Sequence, residues 1–246
     1  MSAVQRGATS SVPVRQVRPD IDAAVVPGFL GDLSPDDAGA VLTGAHLVRV
    51  PAGATVLQPD ESRLWLVVEG LVRLFVITAE GRQLILLHAV PGDTIGLASL
   101  FTGDGRQSAQ TVVESRLLSL DWARVRDLLR MNPAANLAAA SEVVERATRT
   151  MEAISVRSVR SVQERIVEYV LDLVSRRPGA DFHLPLTHQE LADAIGCSRE
   201  AVSRCLADLR RRGLVATEPA LLTVLDPEAL RRDAGRYALK HQLEAV

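Results

Sequence analysis

The eight residues CSREAVSR, from Cys197 to Arg204, constrain this chain more than any other stretch, because they read as the opening turns of a two-faced helix. Just upstream, Thr187 and Glu190 in THQE have the spacing of a capping box, so a helix runs through LADAI until Gly196 breaks it. A second helix starts at Ser198. On it Val202, Cys205, Leu206 and Leu209 share one face at helical spacing, and Arg199, Glu200, Ser203 and Arg204 share the opposite one. In such a helix-turn-helix unit the second helix lies in the DNA major groove, with residues near its N-terminus at the base edges. Arginine binds guanine O6 and N7 bidentately and glutamate accepts from cytosine N4, so this face suits a G·C-containing half-site of double-stranded DNA. Arg210, Arg211 and Arg212 close the helix before Gly213, where cations suit both the helix dipole and nearby phosphates. LVATEPALLTVL then gives two short apolar runs around Glu218-Pro219, the pattern of a small hairpin. Helix, turn, helix and hairpin together make a winged helix. The competing readings are a merely solvated helix surface and a regulatory ligand-binding module whose winged helix mediates protein contacts.

The segment LTHQELADAIGCSREAVSRCLADLRRRGLV resembles the DNA-binding motif of the Crp/Fnr superfamily of transcription regulators. The resemblance implies that Arg199, Glu200 and Arg204 read a TGTGA-like half-site, and Ser203 is similar to a serine used by the Fnr branch. It extends backwards over all but the first twenty or so residues, because a glycine-punctuated β segment and a long helix precede the motif in the family's order. It therefore implies an α+β chain: an N-terminal antiparallel β jelly-roll barrel that binds an effector, a long dimerisation helix and a C-terminal winged helix-turn-helix. A regulator of this kind works as a homodimer, meets RNA polymerase and performs no chemistry.

Composition agrees. At 246 residues the chain has room for two modest domains, and 47% apolar with 24% charged residues describes an ordinary globular protein. A net charge of −2 exerts no global pull on nucleic acid, so DNA affinity must come from a local patch, and Cys197 to Gly213 supplies five arginines against Glu200 and Asp208. Aromatic residues make up only 3%, which leaves no stacking platform for single strands or RNA. No apolar run reaches the roughly 20 residues of a membrane helix, and no signal-peptide core is present, so a cytoplasmic protein is expected. No nucleophile elbow, phosphate loop or metal-ligand cluster points to an enzyme.

Along the chain, residues 1–20 lack periodicity and read as a flexible tail. Ser34-Pro35 starts a short helix that ends by Gly44. HLVRVPAG, TVLQPD, RLWLVVEG, LVRLFVITAEG, RQLILLHAVPGD and TVVESRLLSLD follow as strands of a barrel or sandwich, giving an effector domain over 21–130. Asp121 opens a helix, and Asn132-Pro133 opens a longer one to about Arg160. Leu137, Ala140, Val144, Ala147, Met151 and Ile154 recur on it at spacings of three and four, a coiled-coil seam. Residues 131–160 are thus assigned to dimerisation, with a serine-rich hinge at 155–164, and 161–246 to DNA binding.

The effector region departs from the cyclic-AMP receptors of that superfamily. They hold the ribose with a glutamate just after a glycine and the cyclic phosphate with an Arg-Ser pair; here the cassette is GLASLFTGDGRQSAQ. Gly96 matches, but Leu97 stands in place of the glutamate and Gln107 in place of the arginine before Ser108. Glutamine cannot neutralise a phosphate, and Arg106 sits one residue early. Thr150 matches a nucleotide-contacting position. A cyclic nucleotide is thus a disfavoured effector, and another small effector is expected. No cysteine precedes Cys197, which excludes an iron–sulfur cluster. Haem would have to use His46 or His88, isolated histidines of the kind that more often pack or face solvent. Cys205, on the apolar face, is expected to pack as a small hydrophobe.

Overall fold

The structure, a computed structural model, describes residues 11–13, 28–103, 105–155, 160–177 and 182–233. The chain divides into two compact units: one holds residues up to Val76 together with His88–Glu145, the other Ile77–Leu87 with Arg146 onward. The elements up to Ser155 are β1 (Ser11–Pro13), α1 (Pro35–Leu42), β2 (His46–Val50), β3 (Thr55–Leu57), β4 (Leu64–Glu69), β5 (Val72–Ile77), β6 (Gln83–Ala89), β7 (Thr94–Ile95), α2 (Ser99–Thr102), β8 (Ser108–Thr111), β9 (Ser115–Leu120), α3 (Trp122–Met131) and α4 (Pro133–Ser155), of which Ile77, Gln83–Leu87 and Arg146–Ser155 fall in the second unit.

Two sheets form the expected β roll, ordered β1-β2-β9-β4-β7 and β3-β8-β5-β6. β1 pairs antiparallel with β2, so three residues of the stretch read as a tail serve as an edge strand; the rest of 1–27 lies outside the described residues. β4 shows why its sequence is apolar without alternation: all of Leu64–Val68 is buried. Leu64, Leu66 and Val68 join the core with Phe29, Leu30, Val41, Val125 and Leu129. On the opposite face the Trp65 indole N–H donates to the carbonyl of Val56, on β3 of the other sheet, at 2.8 Å. A central strand covered on both sides needs no polar alternation.

Gly96 follows β7 with φ of 89°, and a Cβ there would lie 2.1 Å from the backbone oxygen of Arg63. Only glycine fits so close a backbone approach at positive φ. The match of Gly96 to the family's glycine thus has a steric basis.

The helices begin where capping chemistry places them. Ser34 caps α1, which has Pro35 in its first turn, and Asp121 caps α3 by accepting from Ala123 and Arg124. The Asn132 side chain accepts from the N–H groups of Ala134 and Ala135 at the start of α4. That helix is described as far as Ser155; residues 156–159, the centre of the expected hinge, lie outside the described residues.

One face of α4 is fastened to the β unit. Ala135 and Ala139 are buried in the core. One turn on, the Glu142 carboxylate accepts from the N–H groups of Phe29 at 2.8 Å and Thr94 at 3.3 Å. The other face carries Leu137, Val144 and Met151 at 69%, 62% and 66% exposure. The large described side chains of the expected seam are thus exposed, and the side chain of Ile154 lies outside the described residues. Removing the acceptor in Glu142→Ala takes this partner from two backbone donors, and should cost about 1–3 kcal/mol. Urea unfolding followed by Trp65 and Trp122 fluorescence should show the lowered midpoint.

Candidate nucleic-acid interface

The C-terminal unit contains α5 (Val162–Ser175), β10 (His183–Leu184), α6 (His188–Ile195), α7 (Arg199–Arg211), β11 (Val215–Glu218) and β12 (Leu221–Val224). The strands form one antiparallel sheet ordered β10-β12-β11, with Pro219-Ala220 at the tip of the predicted hairpin. Ser161 and Glu164 make a reciprocal capping box at the start of α5. At α6 the Thr187 hydroxyl accepts from the Glu190 N–H, and Glu190 itself is buried.

Gly196 ends α6 in the left-handed region, at φ 67° and ψ 52°, a conformation that costs a residue with a Cβ but not glycine. Two residues later Ser198 caps α7 by accepting from Ala201. The second helix thus restarts after a three-residue connection, Gly196 to Ser198.

α7 packs against α5, α6 and β11. Val202, Cys205, Leu206 and Leu209 are all buried. That stripe turns Arg199, Glu200 and Arg204 to solvent and leaves Ser203 half-buried. Glu200 is held below the usual carboxylate range by its own backbone N–H, then by the Ser198 hydroxyl and by Arg199 and Arg204. It is an ionised acceptor at neutral pH. The His188 Nδ1 lies 2.9 Å from the Ser203 hydroxyl oxygen. A cleft of about 550 Å³ opens beside this pair, lined by Thr187–Gln189, Arg199 and the wing residues Thr217–Ala220.

The terminal arginines are less alike than their sequence implies. Arg210 is exposed. Arg211 donates to Asp208 at 2.8 Å, and Arg212 pairs with both Asp208 and the buried Asp233. Arg211, expected to face phosphate alongside Arg210, is therefore tied within its own helix, and Arg212 braces the domain.

In the first unit the effector cassette is split among different environments. Leu97 lies in the hydrophobic core at 1% exposure, where it offers no hydrogen bond to a ribose. Ser108 is buried and opens β8, opposite Phe75 of β5, a strand that the polar sequence QSAQ conceals. Arg106 is exposed and Gln107 half-buried. Thr150, in the second unit, donates its hydroxyl to the Arg146 carbonyl at 2.9 Å, a bond within its own helix. His46 is exposed on β2 and His88 is fully buried on β6. No group of three or more His, Cys, Asp and Glu that could hold a metal occurs among the described residues. No helix among them is long and apolar enough to cross a membrane.

A β roll followed by a long helix and a winged helix with an outward arginine face defines a DNA-binding regulator with an effector-type domain. Residues 47–132 match the cyclic nucleotide-binding domain family and residues 164–233 the Crp-like helix-turn-helix domain family. The chain is 34% identical over 185 residues to the transcriptional regulator LdrP of Thermus thermophilus, covering 73% of this chain and 91% of that protein. It is 28% identical over 215 residues to the CRP-like cAMP-activated global transcriptional regulator of Mycobacterium tuberculosis, covering 84% and 96%. Among solved structures, a CRP-family transcriptional regulator from Thermus thermophilus superposes with a TM-score of 0.60 at 30% identity, over 76% of this chain and 96% of that one. The protein belongs to the Crp/Fnr family of DNA-binding transcriptional regulators. Its relatives are regulators, not enzymes.

Neither cysteine is in a disulfide; burial pushes the Cys205 thiol up to about 12, and burial also raises that of Cys197, which is half-exposed. Cys205 packs as the expected small hydrophobe. Alkylation at pH near 8 followed by mass spectrometry should modify Cys197 alone in the folded protein, and both cysteines only after denaturation.

Proposed function

We propose that the protein is a homodimer that binds a palindromic TGTGA-like site, with base reading by Arg199, Glu200, Ser203 and Arg204 and phosphate contact by Arg210 and Arg211. The observation that carries this reading is the clamping of α7 by its buried stripe, which leaves the reading side chains on the free face of a winged helix. Arg211 reaches phosphate only while sharing its charge with Asp208, so Arg210 supplies the larger part of that contact.

Dimerisation rests on α4. Leu137, Val144 and Met151 are exposed at intervals of seven residues, the repeat by which two helices pair along a seam. Ala140 and Ala147 complete the stripe. Two-fold pairing would set two recognition helices one turn of duplex apart, about 34 Å, which calls for a palindrome. In this scheme residues 21–130 sense, 131–160 dimerise and 161–246 bind DNA, with RNA polymerase as the further partner.

The effector of the β domain is a small molecule other than cyclic AMP. The burial of Leu97 and the neutral Gln107 remove both charged contacts of the nucleotide cassette, and the Thr150 hydroxyl is engaged within its helix.

Anisotropy on specific and random duplexes tests the reading. Arg199→Ala or Arg204→Ala should cost about 1–3 kcal/mol on the palindrome and flatten base preference, whereas Arg210→Ala should weaken all sequences alike. Equal losses on specific and random DNA for Arg199→Ala contradict the assignment. For the seam, Leu137→Glu with Val144→Glu should yield a folded monomer in sedimentation equilibrium, where the unaltered chain sediments as a dimer.

A further inference from the structure

Ser203 lies on the reading face, but its hydroxyl oxygen also sits 2.9 Å from Nδ1 of His188, the first residue of α6. We propose that His188 is a specificity-determining residue: it sets the hydrogen-bond polarity of Ser203, and so makes base preference at one position of the half-site depend on pH. This rests on the assignment of α7 as the base-reading helix.

The chemistry follows from the two ring nitrogens. Neutral imidazole carries one donor and one acceptor nitrogen, and either can hold the proton. With Nδ1 bare, Ser203 donates into the ring and offers a base only its lone pairs. With Nδ1 protonated, the ring donates to Ser203 and frees the hydroxyl proton for DNA. A neutral His188 therefore lets Ser203 meet either kind of base edge. Imidazolium has N–H on both nitrogens, so the ring always donates to Ser203 and the hydroxyl proton is always left for DNA. It then favours guanine O6 or N7 and thymine O4 over the amino groups of adenine and cytosine.

The surroundings place this change where it matters. His188 lines the cleft between α6, α7 and the wing, together with charged Arg199 from α7 and Glu218 from β11, and with the neutral polar groups of Thr187, Gln189 and Thr217. Burial first, and then the charge of Arg199, hold the His188 pKa below the ordinary histidine value, so the free protein carries it neutral at neutral pH. A phosphate brought to the mouth of the cleft favours the charged ring and opposes both effects. Binding then takes up a proton, and acidification strengthens acceptor-bearing sites relative to donor-bearing ones.

The test uses full-length protein and a panel of duplexes in which each base pair of the TGTGA half-site is replaced in turn. Anisotropy is read at about pH 5.5 and about pH 8 at fixed ionic strength, a span that brackets histidine titration. At one position the ratio of acceptor-bearing to donor-bearing affinities should rise on the order of 5- to 10-fold at the lower pH, the lower end of what a single base contact discriminates. His188→Gln should abolish that change, and Ser203→Ala, which leaves the histidine in place, should abolish it by an independent route. An undiminished change in His188→Gln assigns the effect to another group and overturns the proposal. Specific binding whose base preferences ignore pH overturns the role of His188 alone. Failure to distinguish the palindrome from a scrambled duplex at either pH overturns the base-reading assignment beneath it.

Discussion

The burial of Val202, Cys205, Leu206 and Leu209 is the interaction on which the rest of the DNA-binding unit depends. Each of the larger side chains contributes about 1.5–3 kcal/mol on leaving water, so together they hold α7 at one rotation about its axis. Turning the helix by one residue, about 100°, would expose part of that stripe and push arginines into the core. The orientation of the face proposed to read bases is thus a by-product of apolar packing, and Arg199 and Arg204 need contribute nothing to stability. The caps at Thr187 and Ser198 and the left-handed Gly196 decide where the helix starts; the stripe decides which way it faces.

The same division of labour recurs on α4. Ala135, Ala139 and Glu142 fasten one face to the β unit, through small side chains that allow close approach and a carboxylate that satisfies two backbone donors. With that face occupied, Leu137, Val144 and Met151 are left outward. Large apolar side chains repeated every seven residues on an exposed helix face are what a partner helix buries, and in the proposed dimer this packing would set the symmetry of the operator.

Much of this is legible in the sequence because the signals are local. Capping residues, the glycine at the turn and the 3.6-residue period mark α6 and α7, and the Gly- and Pro-bounded runs mark six of the strands. β8 is hidden because SAQT is polar, although Ser108 and Thr111 are buried and Thr111 hydrogen-bonds the Pro51 carbonyl. Pairing across the roll, not propensity, makes it a strand. The Ser161–Glu164 box has its S-x-x-E signature in plain view, yet the surrounding Ser-Val-Arg repeats read as a hinge. The tie of Arg211 to Asp208 has the i, i+3 spacing of a helical ion pair, a local signal that competes with the phosphate reading of the same arginine. The contact of His188 with Ser203 spans fifteen residues between two helices, and only the angle of the turn brings them together. The effector cassette is the least legible part, since Leu97 and Gln107 depart from the residues that the resemblance calls for.

The most direct test of the account is fluorescence anisotropy of the full-length protein, at fixed salt and without added nucleotide, on a TGTGA palindrome and on a scrambled duplex of equal length. The account predicts binding to the palindrome tighter by at least about 10³-fold, the usual margin of a specific site over non-specific DNA. Equal affinity for the two duplexes, falling in parallel as salt is raised, would contradict it, because the arginine face of α7 would then be contacting phosphates without reading bases.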